Sequence, residues 1–323
     1  MNFRKPMLRH ALGAALLALT TSMACAWTDK PVKIIVPAPA GGAIDVLARL
    51  VGDQLSKDLG QTFVVDNRPG GGGNIAVQAL FSAPADGQTI LVAASNLMLE
   101  IPHVMKQSFD GLKDLRPVNA FASVGLVLVS NPTVPAQDFA GLAAYLKATS
   151  GKYSYATHSP GTISHYAGQL FSNGAGLDLQ HVPFAGAPPA LAQVMGGQVT
   201  VMFDGIATSM PLIKGGKLRA YGISGSARNP ALPQIPTFIE LGHPELNYAT
   251  WFGVVVSSKV PDALVERINQ AVQKATQAPA VRDRIVGFGF DIPPPLTPAE
   301  LAKSMNDDFA RYGAIVKKLN ITP

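Results

Sequence analysis

The stretch VKIIVPAPAGGAIDVLARLVGDQL (Val32–Leu55) joins three patterns in one unit. Val32–Val36 is an apolar run of strand length, residues 37–42 are a loop of Pro, Ala and Gly, and from about Ala43 the apolar residues recur at helical spacing. A strand that feeds a helix through so short a loop leaves helix N–H groups at the carboxyl edge of a sheet, where they can receive an anion. Small side chains let a ligand approach that backbone, and the helix end adds roughly 0.3–1 kcal/mol of attraction for negative charge. Asp45, in the first turn, fits equally well with a tight turn whose acidic residue complements the helix dipole. The stretch alone leaves both readings open.

The same plan recurs along the chain: TILVAASN precedes a helical pattern at 97–105, YSYATHSPGT one at 163–174, and VTVMFDGIAT one at 209–214. Strand and helix in alternation predict an α/β fold with largely parallel sheets. QTFVVDNRPGGGGN adds a strand ending in a glycine turn, and no fixed period marks a repeat array. VGLVLVSNP (124–132) and TWFGVVVSSKVP (250–261) are long extended runs between α/β blocks, placed as two chain crossings between lobes. The expected division is 27–125 plus 253–323 for one lobe and 126–252 for the other. Two helices close the chain, PDALVERINQAVQKATQ and a segment opening on Thr297 with Glu300 three residues on, a capping-box spacing.

With 47% hydrophobic and 15% charged residues, the 323-residue chain can bury a sizeable core. Residues 1–26 read as a secretory signal: Arg4, Lys5 and Arg9, then an apolar run from Ala11 to about Leu19, then Ala24-Cys25-Ala26 with cleavage after Ala26. Cys25, the only cysteine, lacks the upstream Leu expected of a lipidation site. Removing the signal leaves 23 Lys and Arg against 21 Asp and Glu, a charge of +2 in place of +5. No basic run suggests nucleic acid, and with no other long apolar span the mature protein is expected to be a soluble periplasmic monomer.

The second loop, ATHSPGTISHYAG, surrounds Gly161 with Thr157, Ser159, Thr162 and Ser164, and places His165 in the first helical turn, with His158 beside it. Hydroxyls there can cap the helix or donate to a carboxylate. Ser95 and Asn96, at the end of TILVAASN, and Asp204, after VTVMF, are candidates at further carboxyl edges; Asp204 could meet a ligand donor, order water or cap the next turn. Trp251 and Phe252 line the cleft or pack the hinge. Ser164 and His165 are adjacent, so a helix directs them apart, and no G-x-S-x-G elbow occurs. The histidines lack metal-ligand spacing, and Gly70–Gly73 lacks both the acidic partner of a dinucleotide fold and the Lys-Ser/Thr of a P-loop. No catalytic group, metal or cofactor is expected; the glycine run reads as a flexible turn.

Taken in order, KPVKIIVPAPAGGAIDVLAR, VVDNRPGGGGNIA, ADGQTILVA, GTISHYAGQLF, HVPFAGAPPALAQVMGGQVTVMFDG, IKGGKLRAYGIS, PALPQIPTFIELG and WFGVVV resemble the substrate-binding proteins of tripartite tricarboxylate transporters, the Bug receptor family. The resemblance implies a two-lobed periplasmic-binding-protein fold, the Venus flytrap, closing over an organic acid and delivering it to a permease of a large and a small membrane subunit. It also implies that Ala40, Gly41, Gly42 and Asp45 form the first-lobe ligand loop and Gly161, Thr162, Ser164 and His165 the second, with Asp204 nearby. The chain departs from the family at Ala38, commonly an aromatic, and at His158 and Ser159, usually small. We therefore expect a ligand bulkier than a short amino acid, such as an aromatic or longer dicarboxylate. A sensor serving a membrane histidine kinase and an exported enzyme using His165 and Asp204 are the alternatives.

Overall fold

The computed structural model describes residues 30–149, 151–225, 227–319 and 321; the signal segment, Cys25 and the expected mature start lie outside them. In chain order the elements are β1 (Val32–Val36), α1 (Ala43–Leu59), β2 (Phe63–Asn67), α2 (Asn74–Phe81), β3 (Thr89–Ala94), α3 (Asn96–Leu99), β4 (Leu115–Ser130), α4 (Phe139–Ala148), β5 (Ser154–Thr157), α5 (Ile163–Gly174), β6 (Gln180–Pro183), α6 (Ala187–Met195), β7 (Val201–Gly205), α7 (Ile206–Lys214), β8 (Arg219–Ile223), β9 (Ala249–Ser257), α8 (Asp262–Gln277), α9 (Pro279–Gly287) and α10 (Pro298–Leu319). The fold is α/β and two-lobed. Strands run in the order β2-β1-β3-β9-β4-β7-β5-β6, with β8 paired on β4.

The pairing is more mixed than strand–helix alternation predicts. β1 is parallel to β2 and β3, and β5 to β6 and β7, but every pairing of β4 and β9 is antiparallel. These two strands carry the chain out and back in opposite directions. β4 changes partner along its length: Leu115–Gly125 pairs with β9, and Leu126–Ser130 with β7 and β8. Gly125 sits at the change, where a Cβ would lie 2.6 Å from the Ser224 carbonyl oxygen, so the approach of the strands excludes any side chain. β9 pairs with β4 from Ala249, opposite Gly125.

Amphipathic spacing accounts for the helices that cover the sheet. α1 buries Leu47, Ala48, Val51 and Leu55, and α8 buries Val265, Ile268, Val272 and Ala275, all in one core with β1, β3 and β9. Asn269 and Thr276 are the buried polar residues on α8; the Asn269 amide donates to the Val118 carbonyl at 2.6 Å and the Thr276 hydroxyl to the Val272 carbonyl at 2.8 Å. The capping box at α10 forms as the spacing predicts: the Glu300 carboxylate accepts from the Thr297 N–H at 2.9 Å, and Thr297 Oγ1 accepts from the Glu300 N–H at 3.2 Å. The helix expected over 97–105 breaks instead into one turn of α3 and a 3-10 turn at Ile101–His103, because Pro102 has no N–H to continue the ladder. Among the described residues no helix is long and apolar enough to cross a membrane.

Candidate functional site

The first loop is held from behind. Asp45, almost fully buried, accepts hydrogen bonds from the Gly41 N–H at 2.9 Å, from Asn67 at 3.0 Å and from Arg49 at 3.1 Å. Burial alone would raise its pKa; the bonds from Arg49, Gly41 and Asn67 together take it below its ordinary value. Gly41 adopts φ 79°, a left-handed conformation that suits glycine, and its N–H is committed to Asp45. Asn67 also donates to the Ala38 carbonyl at 3.0 Å, fixing the far end of the loop. The result is a rigid turn that presents Gly42, Ala43 and Ile44 to a cavity, while Ala40, Gly41 and Asp45 stand outside its lining.

The second loop is braced by its own helix. Thr162 Oγ1 donates to the Ser159 carbonyl at 2.8 Å, and Ser164, fully buried, donates to the Phe203 carbonyl at 2.6 Å. His165 Nδ1 accepts the Gly161 N–H at 3.1 Å, and its ring stacks on His181 with centroids 3.9 Å apart and planes 9° from parallel. Burial pushes the His165 pKa down to about 3 and that of His181 to about 4, so both imidazoles stay neutral at ordinary pH. Ser164, His165 and Gly161 therefore support the loop from beneath rather than line the cavity. Ser95 does likewise in the first lobe, where its hydroxyl meets that of Thr250 at 2.9 Å.

Seven of the expected residues do share one cavity: Ala38, Gly42, Asn96, His158, Ser159, Thr162 and Asp204 line a space of about 330 Å³. Asp204 is fully buried, and its carboxylate is committed three times over, to His158 Nε2 at 2.7 Å and to the hydroxyls of Thr208 and Ser209, each at 2.6 Å. It anchors His158 and the start of α7. The glycine turn at Gly70–Gly73, read from sequence as a flexible link, forms part of the wall, with φ between 60° and 104° at all four residues. Residues 183–187, Ile101, Met105 and Thr208 also line the space unforeseen. For 183–187 a signal existed: HVPFAGAPPALA repeats the strand, small loop and helix of the opening stretch. Of the two hinge aromatics Phe252 lines the cavity, and Trp251 packs in the core under α10.

What converges on this cavity is backbone. The N-caps of α1, α2, α5, α6 and α7, namely Gly42, Gly73, Thr162, Gly186 and Gly205, all line it, and none of these helix ends carries a side-chain cap. Ends from both groups of strands are represented. Aside from His158 and Asp204, no ionisable side chain is found in the lining; Pro, Ala, Leu, Ile, Met and Phe supply most of the wall. One helix end contributes roughly 0.3–1 kcal/mol to an anion, up to about 2 when partly buried. Burying a carboxylate costs several kcal/mol. A single end would not suffice; several from two sides can.

Comparison with known proteins agrees with this geometry. The family model described as tripartite tricarboxylate transporter family receptor matches residues 47–321. The protein BugT of Bordetella pertussis is 32% identical over 291 residues, which is 90% of this chain and 89% of that protein. A solved structure described as a periplasmic transporter superposes with a TM-score of 0.87 at 36% identity, covering 92% of this chain and 99% of the other. The Rhodopseudomonas palustris protein Rpa4515, solved with adipate, superposes equally well at 0.87 with 28% identity, covering 92% of this chain and all of that one.

Proposed function

We propose, from the premise that this chain belongs to the tripartite tricarboxylate transporter receptor family, that it is a periplasmic receptor which captures a small organic carboxylate between its lobes and delivers it to a membrane transporter. The observation that carries the reading is the convergence of five helix N-termini without side-chain caps on one largely apolar cavity. Their dipoles suit a carboxylate, as do the first-turn N–H groups, although α6 offers only that of Ala187 before Pro188 and Pro189, and the Asn74 N–H of α2 already donates to the Gly71 carbonyl; the walls suit a carbon skeleton. Adipate in Rpa4515 is consistent with that class. Ala38 in the lining leaves room where a ring would fill space, which supports an aromatic or longer dicarboxylate over a short amino acid.

On this reading the lobes divide at Gly125/Leu126 and close to Ala249, and residues 1–26 are an export signal removed after Ala26. The protein acts as a binding monomer without catalysis. Closure is the mechanism: a ligand touching helix ends from both lobes binds the closed state better than the open one and shifts the population by that difference. The closed surface is what the large and small permease subunits would read.

Residues 27–323, freed of bound ligand by unfolding and refolding, should rise in melting temperature with some members of a panel of aliphatic, aromatic and amino carboxylates. A ligand at a hundred times its dissociation constant stabilises by about 2.7 kcal/mol, a shift of several degrees. No shift with any carboxylate, in a folded preparation, would sink the receptor reading. Shifts with short amino acids alone would sink the ligand class.

A further inference from the structure

His158 stands apart from the rest of the lining. It is the one basic side chain there, and its Nε2 lies 2.7 Å from Asp204 Oδ1. The second oxygen of Asp204 already accepts from the hydroxyls of Thr208 and Ser209; where the carboxylate is ionised, Oδ1 accepts as well and the proton on the shared bond belongs to Nε2. That fixes the tautomer. In the neutral ring Nδ1 then carries a lone pair, and Nδ1 makes no hydrogen bond to any described residue, on a ring that lines the cavity.

A lone pair on Nδ1 cannot bond a carboxylate, which has no proton to donate. It must first take a proton, becoming a donor. We propose that His158, positioned by Asp204, decides what the far end of the ligand is: a dicarboxylate binds together with a proton from solvent, which bonds to Nδ1, whereas a monocarboxylate seated at the helix ends needs none. The inference rests on the carboxylate-receptor reading above. Charge favours it. A dicarboxylate dianion entering beside the Asp204 carboxylate meets no lysine or arginine among the lining residues, so an imidazolium is the one full positive charge available to it. Asp204 is also the only titratable group in the lining that faces the ring. His165 on α5 and His181 on β6 are buried in their own stack and held neutral.

The test is calorimetric. Succinate, adipate and suberate, each with its monoacid of equal length (butyrate, hexanoate, octanoate), are titrated into the full mature chain just above neutral pH. Two buffers of different ionisation enthalpy are used, so that the difference in heat counts protons. The expected result is uptake approaching one proton per dicarboxylate and none per monoacid, with dicarboxylate affinity falling up to about tenfold per pH unit above neutrality. Asp204→Asn gives the sharper readout. Its amide would donate to Nε2 while its oxygen keeps the Thr208 and Ser209 hydroxyls, so the ring shifts its own proton to Nδ1. Whatever dicarboxylate binding the variant retains should then carry no proton uptake. His158→Gln should likewise lose the uptake. Dicarboxylate binding with no proton uptake in the unaltered protein overturns the inference and leaves the receptor reading standing, and so does uptake unchanged in His158→Gln. Failure of every acid in both series, and of the aromatic and amino carboxylates of the wider panel, to bind overturns the receptor reading itself.

Discussion

Gly161→Ala will lose about tenfold or more in carboxylate affinity while remaining folded. Gly161 adopts φ 75°, and a Cβ built on it would lie 2.8 Å from Ile101 Cα and 3.2 Å from Val104 Cβ. Ile101 and Val104 follow α3 in the first lobe, and Gly161 precedes α5 in the second, so the collision arises where the lobes meet. Backbone at Ile101 cannot swing aside as a flexible side chain would. The left-handed conformation costs alanine about 1–2 kcal/mol whichever way the lobes stand. The clash is felt only when they close, and each 1.4 kcal/mol it adds to closure lowers apparent affinity about tenfold. Gly176→Ala is the control, with φ 62° and open space around its Cβ position. It should lose similar stability and no affinity. Equal affinity loss in both variants, measured by titration, would contradict closure as the mechanism.

The stability of the protein should fall as pH rises through neutrality, and Glu100→Gln should remove that fall. Glu100 is fully buried beside α10, both its carboxyl oxygens lack hydrogen-bond partners among the described residues, and its backbone carbonyl accepts the Tyr166 hydroxyl of α5 at 3.0 Å. Burial, aided by the negative charge of Asp308, raises its pKa to about 8; Tyr312 and Arg311 do not offset this. In the unfolded chain the group ionises near its ordinary value. Between about pH 4.5 and 8 the native state therefore holds a proton that the unfolded state has lost, and stability declines by about 1 kcal/mol per pH unit across that window. The stacked His165 and His181 act in the opposite sense. Their pKa values are depressed by burial, so the unfolded chain binds protons that the native state refuses, and stability declines as pH falls from about 6.5 toward 4. These three groups together place the optimum near pH 6.5. Chemical denaturation at stepped pH should show Glu100→Gln flatter above neutrality and losing stability more steeply between about pH 6.5 and 4.5, where the parent's carboxyl opposes the histidines. A variant that follows the parent protein on both sides would refute the buried neutral carboxyl.

Local grammar made the fold largely legible. The opening unit folds as β1, a rigid small-residue turn and α1 from Ala43, because spacing, loop length and helix propensity all act within a few residues. The same holds for the Thr297–Glu300 box. Distant effects were not legible. Nothing near Arg219–Ile223 tells that it pairs on the far half of β4, or that β4 serves two groups of strands. His165 reads as a donor at a helix end, yet its partner His181 lies sixteen residues on, and their stacking removes it from the cavity. Asp45 and Asp204 were found by their position at sheet edges, but not their tasks. Asp45 turns back to Gly41, and Asp204 is saturated by partners from a separate loop and from α7, the helix that follows it. The cavity wall draws on Gly70–Gly73, Met105 and 183–187, segments brought together only by the sheet order.

Backbone dipoles from both lobes gripping a carboxylate is the central claim, and titrating the ligand-free protein with the best acid of the panel and then with its amide tests it most directly. The two molecules match in shape and differ in the charge that the five helix ends are arranged to receive. The acid should bind and the amide should lose about a hundredfold or more in affinity, the loss of two or more helix-end contacts to a desolvated charge. Equal affinities would mean that the cavity recognises the carbon skeleton alone, and the account of the site would be wrong.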